Sequence, residues 1–241
     1  MRTIRPVRKT PFVKLMRGAW KLHQRGTPIT RASLMDALRT SPTTTSDVLI
    51  TAVEWGFLTK TGSLYTGTEV LKTLCSESDT NKVILRAILD AKTPHAAFLK
   101  LLMKSNTEGR PFSKGEFLAE GQTNQVAFDI CRGLFCDDMR LASCSGTQVS
   151  ISEYGRNLLS LLVLRLFWDR VKAYYLRLRD IRGDRNVLLE DVYSEFAKEE
   201  GMSEEDFLMT IQRSVDVPAG IVLTPDPSYR KFGGMKYIAI D

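Results

Sequence analysis

The 241-residue chain is poor in the side chains that most enzymes work with: it has two histidines, four cysteines and three tryptophans. His23 and His95 lack a nearby nucleophile or a carboxylate spacing that makes a triad, so structural or exposed roles are expected for both. Cys131, Cys136 and Cys144 lie close enough to raise a metal site, with Cys75 or His95 as a fourth ligand. No C-x-x-C pair occurs, however, and positions 131 and 136 diverge on one helix, whereas thiolate coordination needs converging side chains. Buried or incidental thiols in a reducing compartment are the expectation. A Gly-rich loop ending in Gly-Lys-Ser/Thr is missing, which removes the support for nucleotide hydrolysis. Asp226 has no partner acid with which to hold a divalent ion, and capping and solvation account for Asp184, Glu190 and Asp191. A nuclease with scattered ligands is the enzyme reading left over; the expectation is no catalytic residue, no metal and no cofactor.

Long hydrophobic runs are also lacking. "MRTIRPVRKTPFVKLMRG" has no uninterrupted apolar region of the kind a secretory signal needs, and "LLSLLVLRLFW" at 158–168 is too short for a bilayer and broken by Arg165. A cytoplasmic protein is expected, at the nucleoid in a prokaryote or in the nucleus of a eukaryote, without a membrane partner. Acids are scarce at the amino terminus: ten cations in the first 40 residues face the single Asp36, a net +9 within a chain of +6. Residues 186–216 run the other way, with nine acids against Lys198 and Arg213. Such segregation points to different partners for different parts.

What the chain does have is a repeat. At a shift of 84 residues Gly62 falls on Gly146, Glu69 on Glu153, Leu74 on Leu158 and Leu34 on Leu118, and "GFLTKTGSLYTGTEVLKTL" is answered by "RLASCSGTQVSISEYGRNL". Each copy reads as three helices, a two-stranded hairpin and a further helix. Thr30 caps one helix, and Gly62 is where the first hairpin turns. In the second copy, helix one is "NKVILRAILDAK", "HAAFLKLLMK", or both with a break near Pro94. Ser152 caps a long helix whose apolar positions recur at steps of three and four. A third, diverged copy ends in "GIVLTPDPSYRKFGGMKYIAI", read as strand, loop and strand.

These segments, "VEWGFLTKTGSLYTG" and "DDMRLASCSGTQVSIS" above all, resemble the winged-helix superfamily in tandem copies covering most of the chain. The expected fold is mainly α with small β-wings: a basic arm at 1–9, units at 10–80 and 81–156, a connecting basic helix at 157–185, and a divergent third unit at 186–241. The resemblance implies binding of duplex DNA or of other proteins, since the fold alone does not decide.

If the modules meet DNA, helix three of each is the element that fits the major groove. In the first copy it offers Thr43, Thr44, Thr45 and Ser46, which a helix cap explains equally well. In the second it offers Gln122, Thr123, Asn124 and Gln125, with Arg132 beyond; carboxamides match the adenine edge. The third begins with Ser203, Glu204, Glu205 and Asp206, which oppose phosphate and leave that unit its basic hairpin, Arg230, Lys231 and Lys236. Arg2, Arg5, Arg8 and Lys9 form an arm suited to a backbone or a minor groove. The basic stretch from Arg165 to Arg185 is read as a nucleic-acid or subunit contact, or as the solvated face of a helix. The expectation is a non-enzymatic double-stranded DNA-binding protein, a regulator or a subunit of a DNA-processing complex, that also meets another protein or itself through the long helix or the acidic unit. The alternative is a protein–protein adaptor without direct DNA binding.

Overall fold

The computed structural model describes residues 7–214 and 221–240. The chain divides into two compact bodies, Met1–Ser160 and Leu161–Asp241.

In the first body, α1 (Lys9–Gln24) buries Phe12, Leu15, Met16 and Ala19, whose three-and-four spacing places them on one face. A single bridge from Ile29 to Tyr65 supplies a third strand position. Thr30 and Ser33 then form a reciprocal cap that starts α2 (Arg31–Leu38). Arg39 takes left-handed backbone angles and turns the chain, and Ser41 accepts from the Thr44 amide with Pro42 in the first helical position to begin α3 (Pro42–Glu54). The hairpin β1 (Leu58–Thr61) and β2 (Leu64–Gly67) turns on two residues, the first being Gly62 at φ 61°, a conformation that costs glycine little. Phe12 packs against Trp55 and Phe57 with ring centres 5.0 and 5.3 Å away, closing helices on hairpin. Two helices follow, α4 (Glu69–Ser76) and α5 (Thr80–Asp90).

The order then recurs as α6 (Pro94–Glu108), β3 (Phe112–Ser113), α7 (Lys114–Glu120), α8 (Gln125–Arg132) and a π-helical turn (Gly133–Asp138). The hairpin β4 (Ala142–Ser145) and β5 (Gln148–Ile151) completes it in a sheet of order β3-β5-β4. Both α5 and α6 form, separated by the segment before Pro94. Phe98 is the hub of this core, within 5.1–6.0 Å of the rings of Phe112, Phe117, Phe128 and Phe135.

The 84-residue repeat extends to individual hydrogen bonds. Thr68 donates its hydroxyl to the Gly56 and Phe57 carbonyls at 2.7 and 3.0 Å; Ser152 donates to those of Arg140 and Leu141 at 2.8 and 3.0 Å. The same oxygens accept from the amides of Leu71 and Gly155, each three residues on. Upstream of helix three the shift is 83: cap Thr30 corresponds to Ser113 and cap Ser41 to Asn124. Leu34 therefore corresponds to buried Phe117, four residues after its cap, and the alignment with half-buried Leu118 is corrected. The extra residue lies within helix three of the second module, where a π-helical turn absorbs a one-residue insertion without breaking the helix.

α9 (Glu153–Arg182) is one continuous helix of 30 residues. Gly155 lets its first turn meet the chain before β4, because a Cβ there would lie 1.9 Å from the Leu141 carbonyl oxygen. In the second body its later turns bring Phe167, Val171 and Tyr175 to a core shared with Phe196, Phe207 and Ile238. Around that core stand β6 (Val187–Leu188), α10 (Leu189–Glu200), α11 (Glu204–Arg213), β7 (Ile221–Pro225), a 3₁₀ turn (Phe232–Gly234) and β8 (Met235–Ile240). The sheet has the order β6-β8-β7, the same pattern as β3-β5-β4. The protein is thus predominantly helical, with three antiparallel hairpins each following a cluster of helices, in a tandem winged-helix-like arrangement.

Candidate nucleic-acid interface

The third helices show how far their polar entrances are already committed. In α3, Thr45 is fully buried and its hydroxyl hydrogen-bonds Thr40 at 2.8 Å and the Ser41 carbonyl at 2.9 Å, so it faces the core. Thr44 receives a hydrogen bond from the Ser41 hydroxyl at 2.8 Å, Ser46 is half-buried, and Thr43 is exposed. In the second module, Gln122 and Thr123 belong to the turn, with Gln122 at φ 44°, and helix α8 begins only at Gln125. Asn124 accepts from the Ala127 amide as the cap, and Gln125 donates to Asp129 at 2.9 Å. Gln122, Gln125 and Arg132 are exposed.

Arg2 and Arg5 lie outside the described residues. Arg8 grips Asp138, donating from Nε to both carboxylate oxygens at 2.9 Å and from Nη2 to Oδ1 at 2.5 Å. The Lys9 amide donates to the same carboxylate at 2.9 Å. As α1 has no cap of its own, Asp138 serves as one and places a negative charge at the positive end of the helix. This hydrogen bond raises the Arg8 pKa further, so the guanidinium stays charged while its charge is matched by Asp138. Arg8 and the start of α1 are thereby tied to the end of helix three in the second module.

Beyond Lys9 the cations of α1 are differently placed. Lys14, Arg17 and Lys21 are exposed and share one side of the helix, where they line an open cleft of about 590 Å³ with Lys9, Ser78 and Thr80. Among the described residues none of the three has a carboxylate at ion-pair distance; Lys14 reaches the Leu38 carbonyl at 3.4 Å. Arg25, Arg31 and Arg39 are exposed on the chain that follows. From the residue types alone, these positions contribute to the +9; the structure adds that Lys14, Arg17 and Lys21 line one cleft with no acid facing them among the described residues.

In the second body, many of the cations are interlocked with acids. Arg170 pairs with Glu200, Arg177 with Glu195 and Glu199 at 3.1 and 3.2 Å, and Arg182 with Asp191 at 2.5 Å. At the terminal hairpin Lys231 pairs with Glu190, lowering the carboxyl pKa, and Lys236 with Asp226 at 2.8 Å, whose pKa falls to about 2 chiefly through that hydrogen bond. Arg230 is exposed. Trp168, Tyr174 and Tyr175 are buried, with polar tips on Ser214, Glu199 and the Arg185 carbonyl.

Among the described residues no three His, Cys, Asp or Glu side chains group as a metal site, and no helix is long and apolar enough to cross a membrane. His95 is fully buried, edge-on to Trp55 at 5.2 Å, and burial lowers its pKa to about 4. Compared with known protein families and with curated proteins, the sequence matches no family model and no curated protein.

Proposed function

We propose that this is a non-catalytic, double-stranded DNA-binding protein of the winged-helix superfamily, acting as a regulator or as a subunit of a DNA-processing complex in the cytoplasm or nucleus. The observation that carries this reading is the ridge of Lys14, Arg17 and Lys21 on α1, exposed and without a facing acid among the described residues. A winged-helix-like arrangement serves nucleic-acid and protein binding alike; the ridge favours a polyanion. From Lys9 to Lys21 it extends about 18 Å at ~1.5 Å per residue, enough to follow a single backbone bearing one charge per ~3.4 Å of duplex.

In this reading Arg2, Arg5, Arg8 and Lys9 belong to the DNA-binding set as a basic arm, and Thr43, Thr44, Ser46, Gln122, Thr123, Asn124, Gln125 and Arg132 lie at the ends of two groove-reading helices. Thr45 shapes its helix entrance from within. The units of this division are 10–80, 81–156 and 186–241, joined by the basic helix 157–185. Arg230, with Lys231 and Lys236 held by acids, makes the weaker contact. Phosphate contacts position the protein and base contacts add selectivity.

The second reading, a protein–protein adaptor, draws on α8, where Val126 is 61% exposed, and on the acidic start of α11. Titration of labelled duplex with the full chain and with a chain lacking residues 1–9, across a range of salt, separates the two. Salt-dependent duplex binding weakened by truncation supports DNA recognition. No binding to duplex at low salt overturns it and leaves the adaptor.

A further inference from the structure

The half-buried thiols of Cys136 and Cys144 lie 3.2 Å apart. Cys136 belongs to the π-helical turn ending helix three of the second module; Cys144 stands on β4 opposite Val149. The repeat provides an internal comparison, because in the first module Lys60, opposite Tyr65, stands where Cys144 stands opposite Val149, and the helix positions that correspond to the neighbourhood of Cys136 are Ala52 and Val53. Ala52 is buried, Val53 half-buried and Lys60 exposed, so the first module closes hairpin on helix without any thiol there. The second module differs by one residue inserted in helix three and by two sulfurs in contact at that place. Such π-helical turns recur at functional sites.

We infer that Cys136 and Cys144 form a reversible disulfide, which makes the junction of helix three and hairpin in the second module a modification site for low-molecular-weight disulfides such as oxidised glutathione. One cysteine thiolate attacks a sulfur of the external disulfide; that S–S bond breaks and the first small thiolate leaves with the electron pair. The other cysteine thiolate attacks the protein sulfur of the mixed disulfide, forming the Cys136–Cys144 bond and expelling the second small thiolate. The protein gives up two protons and two electrons, and the external disulfide becomes two thiols. The sulfurs close from 3.2 Å to ~2.05 Å, a movement of about 1.2 Å. Burial, aided by the hydrogen bond to Cys144, raises the Cys136 pKa, so the pair rests as thiols and exchange quickens as pH rises. The bond fastens β4 to the turn that carries Asp138, the residue that holds Arg8.

The test is oxidation of the reduced full-length protein with oxidised glutathione, followed by an acid quench, alkylation, intact-mass measurement and peptide mapping. The expected result is the loss of two hydrogens, a linked Cys136–Cys144 peptide, return of both thiols with dithiothreitol, and alkylatable Cys75 and Cys131. In Cys136→Ser and in Cys144→Ser, the remaining cysteine of the pair keeps glutathione attached instead of closing a bridge. Wild-type protein that stays fully reduced, that carries glutathione separately on both cysteines, or that bridges another pair overturns the inference, and none of these outcomes depends on a variant folding.

Discussion

At the scale of single residues, two buried or paired charges make opposite kinds of prediction. His95 is enclosed, with no hydrogen-bond partner among the described residues for either ring nitrogen, and its pKa falls from 6.5 to about 4. The unfolded chain therefore binds a proton between those values that the folded chain does not. Stability is complete above about pH 6.5 and declines as pH falls towards 4, by up to about 3 kcal/mol. Urea denaturation at pH 7, 5.5 and 4.5 measures the loss, and His95→Phe flattens that part of the profile. Arg8 is the converse case, a fixed charge whose neighbour decides what it can do. Asp138→Asn removes the opposing charge while keeping an acceptor for the Lys9 amide. In the DNA-binding reading this variant steepens the dependence of log K on log salt by about 0.9, one more phosphate neutralised. An unchanged slope in salt-titrated anisotropy places Arg8 off the duplex.

At the scale of elements, the second half of each module is where pattern and structure agree most closely. Gly62 and Gly146 mark two-residue turns, and Thr68 and Ser152 tie the hairpin to the next helix through matching bonds. Thr68→Ala and Ser152→Ala each lose a cap and are expected to cost about 1 kcal/mol, read from chemical denaturation midpoints at constant m-value. A loss at one site alone contradicts the equivalence of the two junctions. The helices that precede each hairpin were legible from apolar spacing and polar caps, since both are local. The insertion in helix three was not, because a single extra residue shifts the register from 83 to 84, and Gly133 at the start of the π-helical turn looks in sequence like any glycine tolerated inside a helix. The same limit applies to Thr45: four consecutive hydroxyl residues look alike in sequence, and only the rotation of α3 about its cap directs this one inward.

At the scale of the whole molecule, net charge misleads unless its pairing is known. The second body carries many Lys and Arg residues, yet Arg170, Arg177 and Arg182 of α9 pair with α10 acids, and Lys231 and Lys236 are matched by Glu190 and Asp226. Exposed pairs of this kind contribute little to stability, ~0–1 kcal/mol each, but they remove cations from the pool available to a polyanion. The +9 of the first 40 residues was visible as composition. The spacing of Lys14, Arg17 and Lys21 by three and four residues on an amphipathic helix also puts them on one face; that no acid among the described residues faces them was not legible, because it depends on which elements pack beside α1. The most direct measurement is the salt dependence of duplex binding by the full chain and by the triple variant Lys14→Gln, Arg17→Gln, Lys21→Gln, with helicity checked by circular dichroism. The account predicts salt-sensitive binding by the wild type and a slope of log K against log salt lower by about 3 in the variant, ~0.9 for each lost phosphate contact. Duplex binding with an unchanged slope in the variant, or no duplex binding by the wild type at low salt, contradicts it.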